Sequence, residues 1–252
     1  MTQAYLCSTE NLVLSTGFAV PDFHLVEGLN LLHVSREASA TVLGLTLAGR
    51  MKKKDGEVRW TPALAGQREE GSAHAAGAEL PTHMLFSDIA YAGTPEIDGL
   101  ERLVPVRAVV REQLAWTSPW YRLTPRKILS DERVQDAFNA LEIELDEEAC
   151  RKTKVGDLDV LTRLKLRVAL ALIARPVAVA LVIDDVDQLR SWRLREDFLS
   201  TVRRLADRLP VVCISANADT SGLADHEVRI HDSEMDLART QAGPSAAEGE
   251  QA

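Results

Sequence analysis

Runs of apolar residues alternate along this chain with segments in which apolar residues recur at helical spacing. Short continuous runs predict buried strands, which we place at residues 29–34, 84–91, 177–183, 210–215 and 227–230. Helical spacing predicts helices, which we place at residues 41–50, 106–116, 130–141, 161–175 and 192–209. Because the two kinds of element alternate, the pattern predicts an α/β domain with a mostly parallel core sheet and flanking helices.

The remaining stretches are interpreted from their turn and capping residues. Residues 52–56 (KKKDG) predict a charged turn before a strand at residues 57–60, and the Gly- and Ala-rich segment that continues to Leu80 predicts a loop with arm-like strands. Ser130 is the predicted N-cap of its helix. Residues 232–252 are rich in small and polar residues, which predicts a flexible tail.

The strand at residues 177–183 stops abruptly on two adjacent carboxylates, Asp184 and Asp185. A buried strand that ends in this way places acid groups at the carboxyl edge of a parallel sheet, where α/β proteins hold ligands and metal ions. This is a Walker-B-like pattern. The alternative is that both are structural carboxylates, bonded to backbone N–H groups or to arginine side chains.

Composition narrows the function without deciding it. The chain has 252 residues, of which 29 are basic and 38 acidic, so its net charge of -9 argues against a nucleic-acid partner. No apolar run is long enough for a membrane span, which predicts a cytoplasmic protein. The cysteines are widely separated, which predicts buried free thiols in a reducing compartment; they are Cys7, Cys150 and Cys213.

Five short segments stand in an order and spacing that are specific only when taken together. They are EGLNLL at 27–32, LAGRMKKKDGEVRW at 47–60, VREQL at 110–114, RVALALIARP at 167–176 and VVCIS at 211–215. With these segments the chain resembles an ATP-binding cassette ATPase, the nucleotide-binding subunit of ABC transporters, over residues 10–231. More narrowly, LAGRM, IDDVD and a weak signature resemble small actinobacterial-type cassette proteins that accompany phage-infection-protein-like membrane proteins.

The resemblance implies a P-loop NTPase-like ABC ATPase fold in residues 1–231, with an N-terminal β arm and a helical subdomain inserted at approximately residues 96–160. It implies an integral membrane transporter-like subunit as partner, and a peripheral position on the cytoplasmic face of the membrane. It also implies a homodimer, or a heterodimer with another cassette subunit. In such dimers each ATP lies between the phosphate loop of one subunit and the signature of the other.

The phosphate loop of that family follows G-x-x-x-x-G-K-[ST], in which glycines and lysine hold the phosphates and the hydroxyl holds Mg²⁺. The aligned segment, VSREASAT, keeps only the final hydroxyl. Ala40 replaces the lysine, and Glu37 adds a carboxylate where phosphate would sit; compensation by Arg36 is the alternative. The degenerate loop comprises Ser35, Arg36, Ser39, Ala40 and Thr41.

The other catalytic positions that the resemblance implies are also altered. Asp184 matches the acid that orients Mg²⁺ through water, and Asp185 matches the acid that polarises the attacking water, one methylene shorter than the usual Glu. The glutamine that senses Mg²⁺ aligns with Thr94, and the switch histidine aligns with Ala216. The signature aligns with a segment that lacks glycine, made of Leu158, Asp159, Val160, Leu161 and Thr162.

These substitutions predict a catalytically inactive cassette subunit, without a bound cofactor, that acts as a scaffold or regulator of a membrane transporter-like complex. One alternative is a working ATP-binding subunit with unusual motifs, in which Thr41 and Asp184 would hold Mg²⁺. Another is a soluble adaptor that retains only the fold. The surface implied to grip the membrane subunit includes Trp116, Trp120 and Tyr121, for which packing inside the helical subdomain is the alternative role.

Overall fold

A parallel sheet of five strands forms the centre of the fold. The computed structural model describes residues 5–35, 39–61, 79–93, 99–121 and 123–231. Its strands are β1 (Cys7–Val13), β2 (His24–Leu25), β3 (Leu29–Val34), β4 (Asp55–Trp60), β5 (Ile89–Ala92), β6 (Ala180–Ile183), β7 (Val211–Ser215) and β8 (His226–Ile230). The parallel sheet has the order β5-β6-β7-β3-β8, which confirms the predicted α/β class.

Helices flank this sheet on the chain segments between its strands. They are α1 (Ala40–Leu47), α2 (Leu85–Asp88), α3 (Val106–Trp116), α4 (Glu132–Ala140), α5 (Glu147–Lys152), α6 (Val160–Ala174) and α7 (Trp192–Ala206). The five predicted helices are confirmed, with ends that differ by up to three residues. α3, α4 and α5 lie between β5 and β6 in the chain, in the region where the helical subdomain is predicted.

The strand predicted at residues 84–91 is wrong in its first half. Residues 85–88 form the short helix α2, and the strand β5 begins only at Ile89. The Ser87 hydroxyl donates a hydrogen bond to the Met84 carbonyl at 2.8 Å, which stabilises a turn rather than an extended chain. Apolar residues in a short run did not distinguish a helical turn from a strand here.

The predicted N-cap of α4 is also wrong by one residue. The Asp131 carboxylate accepts a hydrogen bond from the Arg133 amide at 3.1 Å and therefore caps the helix. The Ser130 hydroxyl instead donates to the Lys127 carbonyl at 2.7 Å in the preceding turn.

Both faces of the parallel sheet are buried, because successive side chains of a strand point to opposite faces. In β3, Leu29 and Leu31 belong to one hydrophobic core, whereas Leu32 and Val34 belong to the other. The first core contains residues of α3, α4, α6 and α7, and the second contains residues of α1 and the N-terminal strands. This packing leaves the edge of the sheet, rather than its faces, for a ligand cleft.

An antiparallel sheet of order β2-β1-β4 forms the N-terminal β arm. A β-bulge interrupts the pairing of β1 with β4, and Gly56 at this bulge has a φ of +78°. A Cβ at this position would lie 2.1 Å from the Asn11 carbonyl oxygen, so only glycine fits. The indole of Trp60 donates to the Leu47 carbonyl at 3.1 Å and so joins this arm to α1.

The three cysteines are buried free thiols, as predicted. Burial raises the pKa of Cys150 to about 11 and that of Cys213 to about 12. It also raises the pKa of Cys7. Since the thiolate is the reactive form, all three are expected to be chemically inert in the folded chain.

Some predictions concern residues that lie outside the described ranges. These include the segment at residues 62–78 and the predicted tail at residues 232–252. Within the described ranges, no helix has both the length and the apolar character needed to span a bilayer.

Candidate functional site

A cleft of about 720 Å³ opens at the carboxyl edge of the parallel sheet. It lies at the carboxyl ends of β3, β6 and β7. β3 and β7 are neighbours in the sheet, but the chain continues from β3 towards β5 at one edge and from β7 to β8 at the other. Open α/β sheets bind ligands at such a switch point. Three predicted positions line the cleft: the end of the phosphate loop at residues 39–41, the Walker-B-like pair Asp184 and Asp185, and Ala216.

The end of the segment that aligns with the phosphate loop has a backbone conformation typical of glycine. Ser39 has a left-handed conformation (φ 55°, ψ 48°), which suits the glycine that the family pattern has at this position. Ser39 precedes α1, which contains no charged residue. The first residue of this helix, Ala40, brings only a methyl group to the cleft. Ser35 follows β3 directly, and its amide donates a hydrogen bond to the Ile230 carbonyl at 3.0 Å. Arg36 lies outside the described residues.

The first acid of the Walker-B-like pair is almost completely buried. Asp184 is 1% exposed, and its carboxylate accepts a hydrogen bond from the Tyr91 hydroxyl at 3.2 Å. The Arg50 guanidinium lies 5.3 Å from the centre of the Tyr91 ring, so the same tyrosine also contacts a cation. Partners of this kind are needed because a buried carboxylate has lost its hydration. Asp185 has a left-handed backbone (φ 53°) and begins a short 3-10 turn.

A third acid, Asp187, joins the Walker-B-like turn to the loop after β7. Its carboxylate accepts hydrogen bonds from the Ser215 hydroxyl at 2.9 Å, from the Ala216 amide, and from the Asn217 side chain at 2.8 Å. Arg195 lies 3.6 Å from the same carboxylate and donates to the Ser215 hydroxyl at 2.9 Å. Asp187 and Arg195 therefore hold the loop after β7 from two elements.

Ala216, the predicted switch position, is bonded through both of its backbone groups. Its amide donates to Asp187, and its carbonyl oxygen lies 3.1 Å from Nε2 of His33. The methyl side chain offers no polar contact to a phosphate. The loop is therefore fixed in place and lacks a polar side chain that could sense a ligand at this position.

Negative charge predominates on the part of the cleft lining that the structure describes. Among the described residues that line it, the charged side chains are those of Asp184, Asp185, Asp187 and Arg190. Like charges repel an incoming anion more strongly in a cleft than at an open surface, because the protein walls have a low dielectric constant. Within the described ranges, in the cleft or elsewhere, no group of three or more His, Cys, Asp or Glu side chains is arranged to hold a metal ion.

Solved structures with this arrangement of elements are ATP-binding cassettes. A protein from Pyrococcus furiosus, described as the ATP-binding protein of an ABC transporter, is 18% identical, with 89% of this chain and 97% of that chain covered and a TM-score of 0.59. CbiO1 from Clostridium perfringens, part of the ABC transporter complex CbiONQ, is 13% identical, with 95% and 93% covered and a TM-score of 0.61. The chain has the ATP-binding cassette fold.

A dimeric cassette of a bacterial ABC transporter is similar to the same extent, at 13% identity, with 89% of this chain and 94% of that chain covered and a TM-score of 0.60. No protein-family model matches the chain, and no curated protein matches its sequence. Structural similarity at identities this low establishes the cassette fold and no more. The five sequence segments predicted this fold. The narrower resemblance to actinobacterial-type proteins stays a prediction.

The signature position of the cassette fold lies at the start of α6. Asp159 is the N-cap of α6, and its carboxylate accepts hydrogen bonds from the Thr162 amide at 2.9 Å and the Thr162 hydroxyl at 2.6 Å. Burial raises the pKa of Asp159, but these hydrogen bonds outweigh it and the net pKa is lowered. Leu158 is buried, Val160 is exposed and Leu161 is half-buried. A carboxylate of the chain itself thus occupies the helix N-terminus.

A groove of about 720 Å³ lies between α3 and α6, and we call it the α3–α6 groove. Trp116 lines it at the end of α3, and Tyr91 lines it on the side of the sheet. Trp116 is 80% exposed, Trp120 96% and Tyr121 73%, so packing inside the helical subdomain is wrong for all three. Thr94 lies outside the described residues. Because Tyr91 also bonds Asp184, one side chain connects this groove with the cleft.

Proposed function

We propose that the chain is a cassette-fold subunit that does not hydrolyse ATP and that acts as a scaffold or regulator of a membrane transporter-like complex. The observation that carries this proposal is the lining of the cleft, where Ala40 and Ala216 stand at the lysine and switch-histidine positions. The cassette fold supplies the architecture of such a subunit. At these two positions the described residues lack the polar side chains that phosphoryl transfer uses.

Mg-ATP fits the described residues of the cleft poorly. A polyphosphate would meet Asp184, Asp185 and Asp187, with Arg190 as the one cation among the described lining residues. Loss of a single charge-assisted hydrogen bond costs about 1.5–3 kcal/mol, which corresponds to roughly one to two orders of magnitude in affinity. With no lysine among the described lining residues, the carboxylates of the cleft repel the anion further. We therefore derive no catalytic step that passes through ATP.

The proposal of a membrane partner has separate support. CbiO1, one of the structural neighbours, is part of a transporter complex, and another neighbour is a dimeric cassette. In this chain the α3–α6 groove presents Trp116, and Trp120 and Tyr121 follow it on an exposed loop. Large exposed aromatic side chains are frequent anchors of interfaces. We propose that the chain binds an integral membrane subunit here, at the cytoplasmic face of the membrane, as a homodimer or with a second cassette.

Calorimetric titration of Mg-ATP into the full chain tests whether the chain binds the nucleotide. We expect no binding heat up to cellular, millimolar nucleotide concentrations, while a cassette with an intact phosphate loop gives a clear isotherm under the same conditions. Asp184→Asn serves as the matched variant, because it removes one charge from the cleft and keeps the shape of the side chain. Micromolar binding by the unmodified chain that Asp184→Asn alters would reject the proposal and favour a working ATP-binding subunit.

Co-purification from detergent-solubilised membranes tests the partner. We expect the chain to retain an integral membrane protein, and we expect the double variant Trp116→Ala, Trp120→Ala to lose it. Trp192→Ala is the matched control, because Trp192 is 67% exposed on α7, outside the groove. If the double variant keeps its partner unchanged, the proposed docking surface is wrong. If no membrane protein co-purifies with the unmodified chain, a soluble adaptor becomes the better description.

A further inference from the structure

The loop between α3 and α4 exposes large apolar side chains to an unusual degree. Trp120 is 96% exposed, Tyr121 73% and Leu123 92%. These side chains follow Trp116 but, unlike it, do not line the α3–α6 groove. Side chains of this size rarely stand free on a monomer unless they contact something else. We call residues 118–127 the aromatic loop.

The aromatic loop is held at both of its ends by arginine side chains. Arg133, which is anchored by Asp131 at 3.0 Å, donates to the Ser118 hydroxyl at 3.1 Å. At the other end, Arg107 of α3 donates to the Arg126 carbonyl at 2.8 Å. These contacts fix the loop at residues 118 and 126, which lowers the entropic cost of using its exposed aromatic side chains in binding.

Basic residues concentrate around the same loop in a chain that is acidic as a whole. Residues 102–127 contain six Arg or Lys and one acidic residue, whereas the whole chain has a net charge of -9. Arg107, Arg111 and Arg151 line a recess of about 470 Å³ beside the loop. Among the described residues, neither Arg111 nor Arg151 forms an ion pair, so both guanidinium groups remain available to an anion.

We propose that the aromatic loop and this arginine recess form a binding site for the surface of an anionic lipid bilayer. Trp and Tyr favour the membrane interface, Leu123 would enter the acyl boundary, and the arginines would hold lipid phosphates. The net negative charge of the chain repels such a bilayer, so a locally basic face such as this one is needed for approach. The three arginines of the recess favour this anionic lipid surface over an uncharged protein surface as the occupant.

Flotation with lipid vesicles tests this inference on the full chain. We expect binding to phosphatidylcholine vesicles that contain phosphatidylserine, weak binding to phosphatidylcholine alone, and loss of binding at high salt. Tryptophan emission should shift to the blue on binding, because Trp120 leaves water. Arg111→Gln and Arg151→Gln should each weaken binding about fivefold. Trp120→Ala should weaken binding and remove most of the emission shift.

Matched controls separate the lipid site from the rest of the surface. Trp192→Ala and Arg193→Gln change exposed residues on α7 and should bind vesicles as the unmodified chain does. Trp116→Ala should also leave vesicle binding unchanged, whatever it does to the membrane subunit. The salt dependence needs no variant and is informative even if one variant fails to fold. Equal binding to both kinds of vesicle, no binding to either, or unchanged binding by the arginine variants would overturn the inference.

The lipid site shares Trp120 with the proposed docking surface, but flotation reports on the lipid site alone, because the vesicles contain neither nucleotide nor membrane protein. Co-purification with a membrane subunit combined with no vesicle binding would overturn the lipid site and leave the proposed function intact. Vesicle binding without a co-purifying subunit would support the lipid site and count against the partner.

Discussion

Replacing Asp187 with alanine is expected to lower the free energy of unfolding by about 2–4 kcal/mol, because it unpairs a largely buried arginine and removes the acceptor of several hydrogen bonds at once. Arg195, whose side chain is 13% exposed, would keep its charge and lose its carboxylate. The Ser215 hydroxyl and the Ala216 amide would lose an acceptor as well. Urea denaturation of the purified variant, followed by circular dichroism, measures the change.

Two further variants show whether the effect comes from this network. Asp187→Asn keeps an oxygen acceptor but not the charge, and we expect about half of the loss. Asp207→Ala removes a carboxylate that pairs with Arg203 and is 67% exposed, and we expect a loss below about 1 kcal/mol. Equal losses from Asp187→Ala and Asp207→Ala would show that Asp187 does not hold the loop. Faster amide hydrogen exchange at Ala216 in the Asp187 variant would locate the effect.

The fold could be predicted from the sequence because its central strands are continuous apolar runs. β3 and β7 were predicted within one residue, since a strand buried on both faces tolerates few polar side chains. The N-terminal strand β1 was not predicted. Its sequence, CSTENLV, mixes polar and apolar residues, because much of one face of the arm is open to solvent. The short helices α2 and α5 were missed for a similar reason, since neither is long enough to show a period.

The sequence pattern by itself predicted a site residue only where a polar side chain directly follows a buried strand. Asp184 was predicted from a strand end, whereas Ala216 and residues 39–41 became candidates through the resemblance to the cassette family. The structure brings them together because β3, β6 and β7 are parallel neighbours or next neighbours. Asp187 was missed, although it stands in the same quoted stretch, because its partners lie in a loop about thirty residues later. Arg195 was missed because a helical arginine gives no sign of the loop that it contacts. The sequence signal that could have identified Asp187 is an Asp in the turn directly after a buried strand.

The second large effect is expected at Asp184, where two interpretations of one buried carboxylate make opposite predictions. If Asp184 is structural, Asp184→Ala should cost about 2–4 kcal/mol, because it removes the acceptor of the Tyr91 hydroxyl and leaves a small cavity. If it is instead a remnant of a metal site, the buried charge costs stability, and its removal should stabilise the fold. We expect the first result, since the Tyr91 hydroxyl already donates a hydrogen bond to this carboxylate at 3.2 Å.

A double-mutant cycle decides between the two interpretations of Asp184. Asp184→Asn keeps the shape and one acceptor oxygen, and we expect it to cost about 1 kcal/mol, less than alanine does. Asp184→Ala combined with Tyr91→Phe should show a coupling energy of about 1–2 kcal/mol, because the two side chains share one hydrogen bond. Unfolding free energies of the four proteins at neutral pH give this value. A rise in stability with Asp184→Asn, together with no coupling to Tyr91, would identify Asp184 as a remnant of a metal site and contradict the structural role.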